Sequence, residues 1–410
     1  MNVLFKNPET LLHMHEGPLG KYIDCYAAEL RAEGYAQQSA EFQIRLVADF
    51  SQWLAKCQIS APQITAEHFQ PYLRFRAQYR RPGRSDLAAL KRLLNLLFRQ
   101  EVIPEPSLPV ATPAEQLVDE FRLYLRQERA LVSATLTCYT SFVGEFLADR
   151  FGTGPIALPA LCAADVTGFV QRRAASIHSK RVQLMTTALR SFLRFARYRG
   201  DLSTDLAACV PSVANWSQST LPRAIPPGQA ELLLASCNRR TAVGRRDYAI
   251  LLLLARLGLR AGEVTTLTLE DLDWQAGLIT VRGKGGRHSQ LPLPQDVGEA
   301  IADYLRNGRP QAASRCVFLR ARAPVRSFKG SQAIGSVVKH ALSRAGIDSP
   351  RKGTHQFRHG LASQMLRQGA SLAEIGEVLR HQSPQTTAIY AKVDFTSLVT
   401  LALPWPGGAR

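Results

Sequence analysis

Two short stretches near the C-terminus, THQFRHG (residues 354–360) and LRHQSPQTTAIYAKV (residues 379–393), carry the residues that decide the fold. Together they contain two histidines, an arginine and a tyrosine, namely His355, His381, Arg358 and Tyr390. An arginine can hold an oxyanion through paired hydrogen bonds, and a tyrosine can attack the central atom as a phenolate. No local structural need calls for this set, which therefore predicts part of an active site. Such a site also requires a second arginine, a proton donor and a surface that binds a polyanion.

The positive charge of the chain is concentrated around these stretches. The 410 residues have a net charge of +18, of which residues 214–410 contribute +13. Residues 1–112 and 113–213 contribute only +2 and +3. A basic surface attracts polyanions and supplies phosphate contacts. Arginine enrichment through genome composition would not favour one half of the chain, so the distribution indicates a nucleic-acid partner.

Cysteine, histidine and apolar patterns exclude several other classes of protein. The seven cysteines are scattered without a C-x-x-C pair, which is typical of reduced thiols in the cytosol. The nine histidines show no metal-binding spacing. The apolar run AILLLLARLGL (residues 249–259) is about half a membrane span and predicts a buried helix. We therefore predict a cytoplasmic protein with no metal, no other cofactor and no membrane contact.

The first half of the chain contains a helical pattern that is used twice. YIDCYAAELRAEGY (residues 22–35) resembles LVDEFRLYLRQERA (residues 117–130), and three further segments follow in the same order in each copy. Apolar residues recur at helical spacing throughout both copies. This predicts a tandem duplication of a four-helix unit, with convergence of two amphipathic bundles as the alternative.

Proline-, serine- and glycine-rich segments separate the units, and a short β excursion interrupts the last one. Ile279 and Val281 belong to one predicted strand, Leu291 to its return strand, and GKGG (residues 283–286) to the turn between them. The predicted divisions are an N-terminal tail (1–20), a helical unit (21–106), a linker (107–112), a second helical unit (113–211), a linker (212–228), a mixed unit (229–395) and a C-terminal tail (396–410).

Two further residues complete a candidate active site. Arg260 follows the apolar helix and lies between Gly258 and Gly262, so it can point into a cleft or simply cap the helix. Lys284 lies at the tip of the strand turn, either as an ordinary exposed residue or as a titratable amine. The chain has only ten lysines, and a lysine can release a proton that an arginine cannot.

The motifs GLRAGEVTTLTLEDLDW (258–274), GKGGRHSQLPL (283–293), HQFRHG (355–360) and LRHQSPQTTAIYAKV (379–393) resemble those of the tyrosine recombinase (phage integrase) family. The resemblance covers roughly residues 113–395. It implies a mainly helical multidomain fold, in which two tandem SAM-like, core-binding-type domains precede a mixed α+β catalytic domain with a small sheet. The first helical unit is then an addition to the core-binding domain at 113–211.

The resemblance also implies roles for six residues. Arg260 and Arg358 are the catalytic arginines, Lys284 is the hairpin lysine, and Tyr390 is the nucleophile that forms a 3′-phosphotyrosine. The two histidines with implied catalytic roles are His355 and His381. Glu263 matches a frequent acid that supports the site.

Three positions depart from the family pattern. Arg380 replaces the usual glycine before His381, Phe357 replaces a leucine, and Gly360 replaces a threonine or serine. His359 fits the pattern and is interpreted as a structural hydrogen-bonding residue.

A basic stripe in the second helical unit predicts contact with DNA. Arg190, Arg194 and Arg197 recur at helical spacing opposite an apolar face. Lys180 and Arg181, at the start of the same predicted helix, complete the predicted DNA-binding set. A solvated face is the alternative reading of such a stripe.

Taken together, these features predict a site-specific recombinase or integrase that cleaves and rejoins DNA without metal or ATP. The alternatives are a type IB-like topoisomerase and a catalytically silent DNA-binding accessory subunit. The expected partners are double-stranded DNA and further copies of the chain in a tetrameric synapse, with related recombinases as additional candidates. The expected location is the nucleoid. Apolar residues in the C-terminal tail predict a helix that docks into a neighbouring subunit or packs on its own domain.

Overall fold

The computed structural model describes residues 7–81, 83, 85–104, 111–214, 222, 224–283, 286–349, 352–393 and 399. Within these residues the protein is mainly helical and has one three-stranded antiparallel sheet. This confirms the predicted fold class. The chain divides into two compact units. The first unit is formed by residues 1–105 together with 220–410, and the second unit by residues 106–219.

The first unit begins with a set of helices around its own apolar core. They are α1 (Pro8–Met14), α2 (Ile23–Ala32), α3 (Gln37–Lys56), α4 (Phe69–Ala77) and α5 (Asp86–Arg99), with 3₁₀ turns at Gly20–Tyr22, Ala61–Gln63 and Ala66–His68. Ile44, Val47 and Leu54 recur at helical spacing and bury one face of α3. Met14 and Leu19 are buried in the same core. Residues 8–20 are therefore a folded part of the unit, which differs from the predicted N-terminal tail because these apolar side chains find a core to enter.

The second unit is a four-helix arrangement with an aromatic core. Its helices are α6 (Pro113–Gln127), α7 (Ser133–Phe151), α8 (Ala163–Ala174) and α9 (Ser179–Tyr198), with a 3₁₀ turn at Leu158–Ala160. Thr112 begins α6 through reciprocal hydrogen bonds with Glu115. The rings of Phe121 and Phe192 meet edge to face in the core. A 3₁₀ turn precedes the third helix both here and in the set α2–α5, while duplication itself stays a prediction.

The C-terminal part of the first unit combines helices with the sheet. Its helices are α10 (Pro227–Ala235), α11 (Ala242–Arg256), α12 (Ala261–Thr266), α13 (Gln295–Asn307), α14 (Ser331–Arg344), α15 (His355–Arg367), α16 (Leu372–Val378) and α17 (Pro384–Thr387), with 3₁₀ turns at Leu269–Asp271 and Ala388–Val393. The strands β1 (Leu272–Asp273), β2 (Leu278–Arg282) and β3 (His288–Pro292) pair in this order, with Ile279 opposite Leu291. The predicted buried helix is α11, and residues 249–254 on it are all buried.

A glycine at the end of α11 sets the geometry of the loop that carries Arg260. Gly258 has a φ of +56°, in the left-handed region that favours glycine. A Cβ at this position would lie 2.9 Å from Leu379 and 3.0 Å from Leu361, so a larger residue would add displacement of these side chains to the backbone strain. The chain therefore reverses tightly against α15 and the end of α16. This reversal places Arg260 at the N-terminus of α12.

The N-terminal helices and the C-terminal part of the first unit meet through backbone atoms. The Val325 N–H donates a hydrogen bond to the Glu33 carbonyl at 2.8 Å. Gly34, with a φ of +76°, lies beside the Val325 side chain, and a Cβ there would approach it to 2.7 Å. The first set of helices thus contacts the loop between α13 and α14.

Candidate active site

Tyr390 lies on the 3₁₀ turn Ala388–Val393 and is almost completely buried. Its side chain is 1% exposed and packs with Ala362, Ile375 and Leu379. Burial raises the pKa of Tyr390 to about 12, although the charge of Arg358 acts in the opposite direction. The hydroxyl is therefore protonated at neutral pH and must transfer its proton to become a nucleophile.

His359, interpreted from the sequence as a hydrogen-bonding residue, has Tyr390 as its partner, which the sequence analysis did not identify. Its Nδ1 lies 2.9 Å from the Tyr390 hydroxyl. His355 precedes it by one helical turn on α15, with the two ring centroids 6.5 Å apart. The spacing of four residues was the available signal, because it places both imidazoles on one helix face. The sequence analysis did not use the spacing between His355 and His359 to place the two side chains together.

Arg358 ties two loops of the site together. Its guanidinium donates hydrogen bonds to the Gly258 carbonyl at 2.8 Å and to the Leu379 carbonyl. The side chain is buried. Burial, together with the charges of Arg260 and Arg380, lowers the pKa of Arg358 from its ordinary value. Burial and the neighbouring positive charges thus destabilise the charged form of Arg358, and an anion bound nearby would stabilise it.

Arg260 is held by the buried carboxylate of Glu263. The Arg260 guanidinium donates to Glu263 Oε1 at 2.7 Å, and its backbone N–H donates to Oε2 at 2.9 Å. One third of the Arg260 side chain is exposed. Burial raises the pKa of Glu263, but the Arg260 N–H and the charge of Arg380 outweigh burial and bring the pKa below its usual value. The carboxylate is therefore ionised at neutral pH.

Arg380 adopts the backbone conformation that explains the usual glycine at its position. Its φ is +56°, in the left-handed region. The turn is formed in spite of the arginine, and the side chain lies against Glu263, with Nη2 2.9 Å from Oε2. Arg380 thus joins Arg260 on one carboxylate, and the charge of Arg358 acts on both arginines.

His381 is oriented by a buried threonine. Its Nδ1 lies 2.7 Å from the Thr387 hydroxyl, and its ring is nearly parallel to that of Tyr390 at 6.5 Å. Burial, followed by the charges of Arg358 and Arg260, lowers the pKa of His381 to about 4. The same causes lower the pKa of His355. The His381 imidazole is therefore neutral at pH 7.

A cavity of about 500 Å³ opens beside these groups. Its walls include Arg260, Arg380 and His381, together with Arg287 and Ser289 from the hairpin. The structure brings together five of the six predicted catalytic residues, namely Arg260, His355, Arg358, His381 and Tyr390. Lys284 lies outside the described residues, although its neighbour Gly283 also lines the cavity.

Comparison with known proteins places this arrangement in a family. The sequence model of the phage integrase family matches residues 223–397. A Sinorhizobium fredii protein (strain NBRC 101917 / NGR234) named as an integrase/recombinase, y4rA, is 54% identical over 397 residues, which cover 96% of each chain. The chain belongs to the tyrosine recombinase family.

More distant tyrosine recombinases agree with this assignment. XerA of Pyrococcus furiosus is 29% identical over 284 residues, covering 69% of this chain and 91% of its own. The solved structure of XerH bound to a palindromic difH substrate has a TM-score of 0.56 and 16% identity. The match covers 73% of this recombinase and 99% of XerH, and it shows a shared fold.

The predicted DNA-binding residues of the recombinase differ in how free their side chains are. Arg190 donates to the Val210 and Pro211 carbonyls at 2.9 Å, and Arg197 pairs with Asp205 at 3.3 Å. Arg181 lies over the Phe142 ring. Three of the five thus contact their own unit. The other two, Lys180 and Arg194, are exposed on α9.

The described part of the recombinase shows neither a metal-binding cluster nor a membrane-spanning helix. Among those residues, no group of three or more His, Cys, Asp and Glu side chains is arranged to hold a metal ion. None of the described helices is both long and apolar enough to cross a bilayer.

The lowered pKa of His381 predicts a pH dependence of stability. Between about pH 6.5 and pH 4 the unfolded chain binds a proton at this position that the folded protein does not. The free energy of unfolding should therefore fall as the pH is lowered through this window. We expect the fall to be smaller for His381→Gln, measured by urea unfolding at several pH values. The control is His340→Gln, on the exposed face of α14, which should follow the wild type; equal slopes in all three proteins would contradict the prediction.

Proposed function

We propose that the protein is a site-specific recombinase that cleaves and rejoins double-stranded DNA through a covalent 3′-phosphotyrosine at Tyr390. The observation that carries the proposal is the pairing of Arg260 and Arg380 with the buried carboxylate of Glu263, with the charge of Arg358 acting on the same groups, beside a cavity and a buried tyrosine. Three positive charges against one negative charge make a site for an anion, and a phosphodiester is the anion that a recombinase cleaves.

In this proposal the arginines hold the non-bridging oxygens of the scissile phosphate. Arg358 uses two of its five donors on backbone carbonyls, so donors remain for a phosphate. Arg260 is one third exposed and lines the cavity, where a phosphate oxygen can reach it. Neutral His381 can donate one further hydrogen bond from Nε2, since Nδ1 contacts Thr387. These contacts strengthen as negative charge develops on the phosphorane.

The nucleophile requires a proton acceptor because its phenol is difficult to ionise. With a pKa of about 12, ionisation at pH 7 costs about 7 kcal/mol, at about 1.4 kcal/mol per unit. We propose that His359 Nδ1 accepts this proton as the Tyr390 oxygen bonds to phosphorus. The bond from phosphorus to the 5′ oxygen breaks, and the departing oxygen takes a proton from Lys284. Rejoining is the reverse, with the 5′ hydroxyl attacking the phosphotyrosine.

The proposed partners follow from the family and the charge. XerH was solved with its difH DNA, which supports duplex DNA as the substrate of this chain. We also propose self-association on DNA in a tetrameric synapse and a location at the nucleoid. The predicted tail at 396–410 lies outside the described residues apart from Val399, and its docking in a neighbouring subunit stays a prediction.

The proposed domains keep the predicted order, with catalysis assigned to residues 229–395 and DNA binding shared with residues 113–211. The set α1–α5 is proposed to extend the contact with DNA or with a neighbouring subunit. Its low net charge and its attachment at Val325 rather than at the active site support this role.

Substitution of the proposed nucleophile tests the function directly. Tyr390→Phe should abolish covalent trapping on a suicide duplex nicked near the scissile phosphate, since it removes only the attacking oxygen. DNA affinity in a gel shift should change by less than about threefold, because affinity comes from dispersed basic contacts. Covalent trapping by the Phe variant would show that a residue other than Tyr390 is the nucleophile. No trapping by the wild type would favour an accessory DNA-binding role, and relaxation of supercoiled DNA without paired sites would favour a topoisomerase.

Replacement of His359 tests the proposed proton acceptor. His359→Ala should slow covalent trapping by about 100-fold, a magnitude typical of general base catalysis. A 5′-bridging phosphorothiolate, whose sulfur leaves without a proton, should restore cleavage by Lys284→Ala but not by His359→Ala. His340→Ala serves as the surface control. Rescue of both active-site variants by the sulfur substrate would contradict the assignment of His359 to the nucleophile.

Removal of residues 1–110 tests the role of the first helices. A protein that begins at Ala111 keeps Thr112 as the N-cap of α6. It should still form the covalent complex on a nicked substrate, but bind full sites about tenfold more weakly or fail to pair them. Thermal unfolding checks that the remaining chain is folded after the loss of the Glu33–Val325 contact. Full-site recombination at the rate of the intact chain would show that these helices serve neither purpose.

A further inference from the structure

Arg380 occupies a position that is unfavourable for an arginine in two respects. Its backbone is in the left-handed region, which non-glycine residues adopt at an energetic cost. Its charged side chain is only 10% exposed, and burial of a charge is costly unless a partner compensates it. Because Arg380 lies beside the cavity in spite of its unfavourable backbone conformation and its buried charge, we expect its side chain to have a role in the site.

The contacts of Arg380 connect it with the first catalytic arginine. Its Nη2 lies 2.9 Å from Glu263 Oε2, the carboxylate that also holds Arg260. Its backbone carbonyl accepts a 3.4 Å hydrogen bond from Arg260 Nη2, and its Nη1 donates to the Val378 carbonyl at 3.2 Å. Its Nε is buried without a hydrogen-bond partner among the described residues. The side chain and the backbone of Arg380 therefore both act on the Arg260–Glu263 pair.

The charges show what this arrangement achieves. Without Arg380, the buried carboxylate of Glu263 would neutralise Arg260 almost at contact distance. With Arg380, the three groups carry one net positive charge. Among the described residues that line the cavity, the remaining side chains charged at neutral pH, Arg287 and Glu377, are exposed, opposite in sign and better screened by solvent.

We propose that Arg380 is a positioning residue that balances the charge of Glu263, so that Arg260 keeps both its orientation and its attraction for the scissile phosphate. The inference rests on the proposed function, since it assigns a role within the same site. Glu263 fixes the Arg260 guanidinium by hydrogen bonds, and Arg380 offsets the electrostatic cost of doing so. The replacement of glycine at this position thus contributes a third arginine to the phosphate site.

A double-substitution experiment on the full-length protein separates this role from a purely structural one. The variants are Arg380→Gly, Glu263→Gln, and the two combined. The readouts are single-turnover covalent trapping on the nicked duplex across a range of DNA concentrations, and the thermal midpoint of unfolding. Arg380→Asn is the second uncharged variant, because asparagine tolerates the left-handed region.

Arg380→Gly should fold with an unchanged or higher thermal midpoint, because glycine relieves the backbone cost. Its maximal trapping rate should fall at least tenfold, with the half-saturating DNA concentration changed less than threefold. Combination with Glu263→Gln should recover most of the rate, since the neutral amide still accepts from Arg260 and no negative charge needs balancing. Glu263→Gln alone should lower the thermal midpoint, because it leaves Arg380 buried without its partner.

A wild-type trapping rate in Arg380→Gly or Arg380→Asn would overturn the proposal. A slow single variant whose rate is not recovered by Glu263→Gln would also overturn it, because the loss would then not arise from the unbalanced carboxylate. The wild-type and Tyr390→Phe reactions run beside these variants. Failure of the wild type to trap DNA would instead overturn the proposed function.

Discussion

The hydrogen bonds from Arg358 to the Gly258 and Leu379 carbonyls are the interaction on which the site depends. A buried guanidinium must satisfy its donors, and here it does so with two loops that are more than one hundred residues apart in sequence. One loop leads into Arg260 and the other into Arg380 and His381. The separate motifs of the sequence therefore converge because a single charged side chain requires acceptors from both. Gly258 permits this approach, since any larger residue would meet Leu379 and Leu361.

The same convergence brings several positively charged and titratable side chains into a buried site, where their charged forms are unfavourable. Burial first, and then the charges of neighbouring arginines, lower the pKa values of Arg358, Arg380, His355 and His381 from their ordinary values. Each shift measures how unfavourable further positive charge is at that point. A phosphodiester bound as proposed would offset part of the positive charge at these groups, so their pKa values would move back toward the ordinary values. Catalytic sites commonly carry such perturbed groups.

The sequence predicted much of this arrangement, and the reasons for its failures are physical. Motif order and residue chemistry selected Arg260, His355, Arg358, His381 and Tyr390, which the structure places together, while their catalytic roles stay a prediction. Helical periodicity located the bundles and the buried α11. It did not reveal that Met14 and Leu19 enter a core, since two apolar side chains in a polar segment show no period. The contact of His359 with Tyr390 depends on tertiary packing between α15 and the last 3₁₀ turn, which sequence spacing alone cannot specify.

Arg380 shows another limit of sequence reasoning. The departure from glycine was visible, and it drew attention to the local turn. The structure shows that the turn forms with the usual left-handed backbone, and that the consequence of the substitution lies in its side chain. Glycine is usual at this motif position because of the left-handed backbone. In this chain the residue there, Arg380, also carries a positive charge.

The burial of Tyr390 has a consequence for the timing of the reaction. A DNA-cutting enzyme with an accessible nucleophile could attack whichever phosphodiester it met during diffusion along a chromosome. Here the phenol is 1% exposed and hydrogen-bonded to His359, so in the proposed reaction an encounter with DNA would not suffice for attack. If Tyr390 is the nucleophile as proposed, its burial would limit attack at phosphodiesters other than those of a bound recombination site.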